Sequence, residues 1–88
     1  RSVFLIDPSN TVRLTITYPK SVGRNFTEIL RALDAPQATD RSPISTPAEW
    51  VPGDRVIVAP AIATDDARER FANVDEVKPY LRFADAPA

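Results

Sequence analysis

A chain of 88 residues, 43% of them apolar and with a net charge of −1, has room for one small domain at most. Its charge gives no electrostatic reason to bind nucleic acid or an anionic membrane surface. With no cysteine and no histidine, it lacks a disulfide, a His/Cys metal site and any thiol or imidazole that could do chemistry, so its core must come from apolar packing or from a partner chain.

The chain opens directly into strand-like sequence. Val3 to Ile6 is a continuous apolar run, the pattern of a strand buried on both faces. Asp7-Pro8-Ser9-Asn10 is dense turn chemistry. Val12, Leu14, Ile16 and Tyr18 then alternate with Arg13, Thr15 and Thr17, which predicts a half-buried strand closed by Pro19. The first eighteen residues therefore read as a β-hairpin.

A helix follows from Asn25 to about residue 35. Asn25 is a good N-cap and Glu28 completes a capping-box pattern. Phe26, Ile29, Leu30 and Leu33 share one helical face, taken as the packing face, and Pro36 is expected to stop the helix. Arg24 stands just before the helix start, where outward N–H groups and a guanidinium together suit an anion or a polarised oxygen. A solvated loop arginine gives the same pattern.

A hairpin and one helix cannot close a core, because a sheet normally needs three or more strands. The doubly apolar first strand expects neighbours that these residues do not supply. The chain also begins at Arg1 without a methionine. Both features point to a piece of something longer, with the missing strands upstream or on another chain.

Most of the nine prolines lie in the second half. Residues 37–54 read as a long ordered connection anchored by Trp50, with packing favoured over a ligand platform, and Pro52-Gly53-Asp54 as a turn. Val56 to Val58 predict a third short strand ended by Pro60. Thr64-Asp65-Asp66 caps a short helix, whose acidic first turn suits the dipole better than it suits metal or acid–base work, and Ala67 and Phe71 give its apolar face. Val77 to Phe83, interrupted by Pro79, reads as an edge strand or extended tail, with Tyr80 and Arg82 at a surface or interface. Arg31 reads as a helix-surface or interface residue.

Several motifs in order make the pattern specific: Arg1-Ser2-Val3-Phe4-Leu5-Ile6-Asp7, Tyr18-Pro19, Gly23-Arg24-Asn25-Phe26, Thr46-Pro47-Ala48-Glu49-Trp50, Pro52-Gly53-Asp54 and Lys78-Pro79-Tyr80-Leu81-Arg82. Together they resemble the C-terminal part of one-cysteine peroxiredoxins of the peroxiredoxin 6 subfamily, over essentially the whole chain. The resemblance implies an α/β fold. Residues 1–36 would be the last strands and helix of a thioredoxin-like domain, and residues 37–88 a small α+β C-terminal dimerisation domain.

It also implies a thiol-dependent peroxidase that reduces hydrogen peroxide and organic hydroperoxides without a cofactor. Arg1 and Arg24 would line the peroxide pocket. A guanidinium about 4 Å from a thiolate, at an effective dielectric near 20, contributes ~4 kcal/mol, roughly a thousandfold in thiol ionisation. The family's nucleophile sits in a Pro-x-x-x-Thr-x-x-Cys loop, and no such loop occurs here, so the chain alone should be inactive. The implied partners are the N-terminal part of the same protein and a second copy joined through the strand holding Thr15, Ile16 and Thr17, an expected sheet edge. The default compartment is the cytoplasm. The alternative is a non-catalytic dimerisation or interaction module.

Overall fold

The computed structural model describes residues 1–87. Eight elements follow one another: β1 (Ser2–Ile6), β2 (Val12–Thr17), α1 (Phe26–Arg41), β3 (Ile44–Ser45), β4 (Val56–Val58), α2 (Thr64–Arg70), β5 (Asp75–Lys78) and β6 (Leu81–Ala84). They form a two-stranded sheet, β1-β2, and a four-stranded antiparallel sheet in the order β3-β4-β6-β5. This is the mixed α/β architecture that the sequence predicts.

The hairpin forms because Asp7 organises its turn. Its Oδ1 accepts from the N–H groups of Ser9 and Thr11, and Asn10 takes the left-handed conformation with φ 63°. Val3 pairs with Ile16 and Leu5 with Leu14, and these four apolar side chains share the half-buried face. The opposite face is open: Phe4, Ile6 and Val12 are exposed. Within these residues the first strand is thus covered on one face only. The register slips between Leu5 and Ile6, leaving Arg13 without a cross-strand partner.

Helix α1 departs from expectation in two ways. Asn25 caps it as predicted, accepting from the Glu28 N–H at 3.0 Å, but Pro36 does not end it; the helix runs on to Arg41. A proline inside a helix costs ~3 kcal/mol, and here packing offsets it. The extra turn carries Ala38, which is buried against Ile44, Trp50 and Val56. The second correction concerns the packed face. Phe26 and Leu30 are more than 60% exposed and Leu33 is 40% exposed, whereas Ala32 and Ala38 are buried and Ala35 packs beside them. Of the expected face Phe26, Leu30 and Leu33 turn outward and Ile29 is half-buried, while the alanines face in.

The second half has the continuous core. Trp50 is 4% exposed and its indole N–H donates to the Asp54 carbonyl at 3.0 Å, across a turn that Gly53 permits with φ 98°. A second cluster joins Val58, Ala67 and Ala84, and Phe71 touches both clusters. The 37–54 segment therefore holds the end of α1 and strand β3 as well as loop.

Three further expectations change here. The cap residue of α2 is Ala63, and no side chain caps it. The 77–83 segment is a hairpin, β5 turning at Pro79 and Tyr80 into β6, with β6 interior to the sheet. Arg82 lies at no surface: it is 1% exposed, on the same side of β6 as buried Ala84. The radius of gyration is 15.4 Å, against about 12 Å for a compact chain of this length. Among the described residues, neither buried cluster includes a residue of the β1-β2 hairpin.

Candidate functional site

The two candidate pocket arginines sit at the same end of the hairpin, related through Tyr18. The Tyr18 N–H donates to the Arg1 carbonyl at 2.7 Å, so Arg1 extends the β1-β2 ladder by one pair. The Tyr18 hydroxyl accepts from the Asn25 N–H at 3.2 Å, next to Arg24. One tyrosine thus ties the strand start that bears Arg1 to the helix entry that bears Arg24. Both arginines are exposed. Arg24 stacks its guanidinium over the Phe26 ring, 5.8 Å from the centroid. Neither pairs with a carboxylate among the described residues, which leaves their donors open toward an oxygen ligand.

The capping box is only half formed, because the Glu28 carboxylate turns to Arg31. Arg31 donates from Nε at 2.7 Å and Nη2 at 3.0 Å to Glu28, and from Nη1 to the Trp50 carbonyl at 3.1 Å. Arg31 is therefore a strut between α1 and the Trp50 turn. Its hydrogen bonds hold the Glu28 carboxyl below the usual range.

A cleft of about 580 Å³ opens between β2, α1 and residues 46–48. Thr15 and Ile16 line it with Ala35 and Thr46. Arg13 closes one end with a bidentate pair to Asp40, at 2.8 and 2.9 Å. That pair lowers the Asp40 pKa, mainly through the hydrogen bonds. The pair exists because α1 continues past Pro36 far enough to bring Asp40 over the bulged Arg13. Both cations of the cleft are thus neutralised locally, and no group of His, Cys, Asp and Glu able to hold a metal ion occurs among the described residues.

Thr15, Ile16 and Thr17 lie in β2, which among the described residues pairs on one edge only. The pair Arg1–Tyr18 exchanges both backbone hydrogen bonds. In an antiparallel ladder such pairs alternate, so Ile16, opposite Val3, points its N–H at β1. Thr15 and Thr17, opposite Phe4 and Ser2, point theirs at the open edge.

Sequence reasoning missed the Arg13–Asp40 clamp and the burial of Arg82. The first has no short-range signal, since the partners are 27 residues apart. The second was present in the alternation Leu81-Arg82-Phe83-Ala84, which puts Arg82 and Ala84 on one side.

Comparison with known proteins finds relatives over nearly the whole chain. Residues 35–73 match the family described as the C-terminal domain of 1-Cys peroxiredoxin. The chain is 51% identical over 83 residues to the mitochondrial peroxiredoxin PRX1 of Saccharomyces cerevisiae, covering 94% of this chain and 32% of that protein. It is 46% identical over 88 residues to a 1-Cys peroxiredoxin of Dictyostelium discoideum, covering 99% of this chain and 36% of the relative. Among solved structures, peroxiredoxin 6 of Arenicola marina superposes with a TM-score of 0.90 at 41% identity, over 99% of this chain and 42% of that one. A yeast mitochondrial 1-Cys peroxiredoxin, solved to explain thiol resolution through glutathione and thioredoxin systems, gives 0.89 at 49% identity, over 97% of this chain and 40% of that one. The chain thus spans about a third to two-fifths of the length of these relatives. It belongs to the one-cysteine peroxiredoxins and corresponds to their C-terminal region.

Proposed function

We propose that this region supplies the arginine-bearing wall and the dimer edge of a thiol peroxidase acting on hydrogen peroxide and organic hydroperoxides. In the complete protein a cysteine thiolate attacks one peroxide oxygen. The S–O bond forms, the O–O bond breaks, and water or an alcohol leaves after protonation. The resulting sulfenic acid is returned to the thiol by an external thiol reductant. Arg1 and Arg24 favour the thiolate by opposite charge and donate to the peroxide oxygens as negative charge moves onto the departing one. The observation that carries this reading is the Tyr18 tie, which joins the backbone of Arg1 to the helix entry beside Arg24, two arginines with no carboxylate partner among the described residues. No cofactor is required.

In this reading residues 1–36 close a thioredoxin-like domain and residues 37–88 form the C-terminal dimerisation domain, with α1 crossing the division. The N-terminal part of the same protein covers the exposed stripe of Phe26, Leu30 and Leu33 and the open hairpin face of Phe4 and Ile6. Two copies join through Thr15, Ile16 and Thr17 of β2. The cytoplasm is the default compartment, and the name of the yeast relative suggests the mitochondrion; fractionation of the source cells decides. Among the described residues no helix is long and apolar enough to cross a membrane.

The test is Arg24→Gln in the complete protein. Loss of a guanidinium beside the thiolate should raise the thiol pKa and lower kcat/KM for peroxide by about 10- to 1000-fold, in line with an opposite-charge contribution of 1–3 pH units. The 88-residue chain alone, offered peroxide and a thiol, should match the uncatalysed background, because arginine stabilises a nucleophile and cannot replace one. An unchanged thiol pKa in the variant, or turnover by the chain alone, overturns the assignment.

A further inference from the structure

Arg82 is a buried cation without a counter-ion. It is 1% exposed, and none of the ion pairs among the described residues includes it. Its guanidinium donates only to neutral oxygens: Nη1 to the Thr64 hydroxyl at 3.1 Å and Nη2 to the Ala59 carbonyl at 3.0 Å. Its Nε is buried with no partner. A charge removed from water calls for an opposite charge, and this one has a hydroxyl in that place. Thr64 is half-buried, and Asp65 and Asp66, which follow it, are exposed, as is Glu69.

We propose that Thr64 is a phosphorylation site and that Arg82 is the group that holds the phosphate. The Thr64 Oγ1 attacks the γ-phosphorus of a nucleoside triphosphate bound to a kinase. The new O–P bond forms as the β–γ bridging P–O bond breaks. Nucleoside diphosphate leaves, and the hydroxyl proton passes to the kinase's base. The exposed acids after Thr64 suit a kinase whose peptide groove is basic. Once formed, the phosphate offers its oxygens to Nη1, the donor that now meets the Thr64 hydroxyl, replacing a neutral contact with a charge-assisted one. Asp65 and Asp66 oppose the added charge from the same helix, and the guanidinium offsets them from β6. This inference is independent of the peroxidase assignment.

The experiment treats the complete protein with an acid-directed Ser/Thr kinase and ATP, locates phosphate by peptide mass spectrometry, and titrates it by phosphorus NMR. Phosphate should appear on Thr64 and be lost in Thr64→Val. A free phosphothreonine has a second pKa of about 6. In the folded protein it should lie about one pH unit below its value in the same protein unfolded in urea, where the neighbouring acids remain but Arg82 is dispersed. Phosphorylation should also raise the urea midpoint, an effect lost in Arg82→Gln. Should that variant fail to fold, the titration of the parent still decides. No phosphate on Thr64 overturns the proposal, as does a second pKa in the folded protein equal to or above that in urea.

Discussion

Replacing Pro36 by alanine should make the complete protein more stable. Pro36 sits in the interior of α1 with helix on both sides. Alanine restores the N–H that meets the Ala32 carbonyl, and it removes a ring that clashes with that carbonyl. Together these are worth ~3 kcal/mol on host–guest scales. Two effects oppose the gain. The unfolded chain becomes more flexible without proline, a loss of ~1 kcal/mol. The half-buried ring, which lines the cleft beside Ala35 and Thr39, gives up a few tens of Å² of apolar contact, ~1 kcal/mol at 25 cal/mol/Å². The net expectation is a gain of about 1 kcal/mol, read as a higher urea midpoint at an unchanged slope. Hydrogen exchange at Ala38, Asp40 and Arg41 should slow in parallel, because these amides belong to the turns that the proline weakens. A lower midpoint would refute the reasoning. It would mean that the ring's packing, rather than Ala38 and Trp50, decides where α1 ends.

Trp50→Phe should cost about 1–3 kcal/mol, because the Asp54 carbonyl loses its buried indole donor, while peroxide turnover per folded molecule stays at the parental value; a selective loss of turnover would make Trp50 a ligand platform instead. The folded-state pKa values of Glu28 and Asp40 are depressed by Arg31 and Arg13. Their stabilisation is therefore full above the unfolded values of about 4 and is lost as pH falls through the lower folded values. Urea midpoints in Glu28→Gln and Asp40→Asn should fall less between pH 5 and 2 than in the parent, a range set by those carboxylate values, and parallel curves would sink the idea. Thr15→Pro removes an N–H directed at the open edge of β2 and should weaken the dimer in sedimentation measurements, whereas Ile16→Pro removes one directed at β1 and should unfold the hairpin first. A Thr15→Pro protein that dimerises as tightly as the parent excludes this edge.

Much of the fold was legible where the deciding interactions are local. Asp7 and Asn10 carry their turn in their own side chains, Asn25 caps its helix over three residues, and β2 alternates because one face is covered. The family was legible from motif order, and the Arg1 and Arg24 that the resemblance singles out stand at opposite ends of a stretch whose ends Tyr18 ties together. That contact itself lies beyond short-range pattern, like the Arg13–Asp40 clamp.

Helix α1 shows why the rest was hidden. It bears two stripes at helical spacing: Phe26, Leu30 and Leu33 on one side, and Ala32, Ala35 and Ala38 on another. Periodicity identifies both, and ranking by side-chain size selects the first as the core. Within these residues the second is the packed one, because Trp50, Ile44 and Val56 bring the volume and need small partners to approach the helix closely. In the reading proposed above, the size rule fails because a helix between two bodies has two inner faces. The alanine face serves the four-stranded sheet, and the large-residue face is left for a body with a surface shaped to receive it. Pro36 belongs to the same conflict. Local propensity ends the helix there, and the Ala38 contact extends it, so a rule that reads one residue at a time sees only the first. What the sequence could not reveal about α1 is what a second packing partner decides.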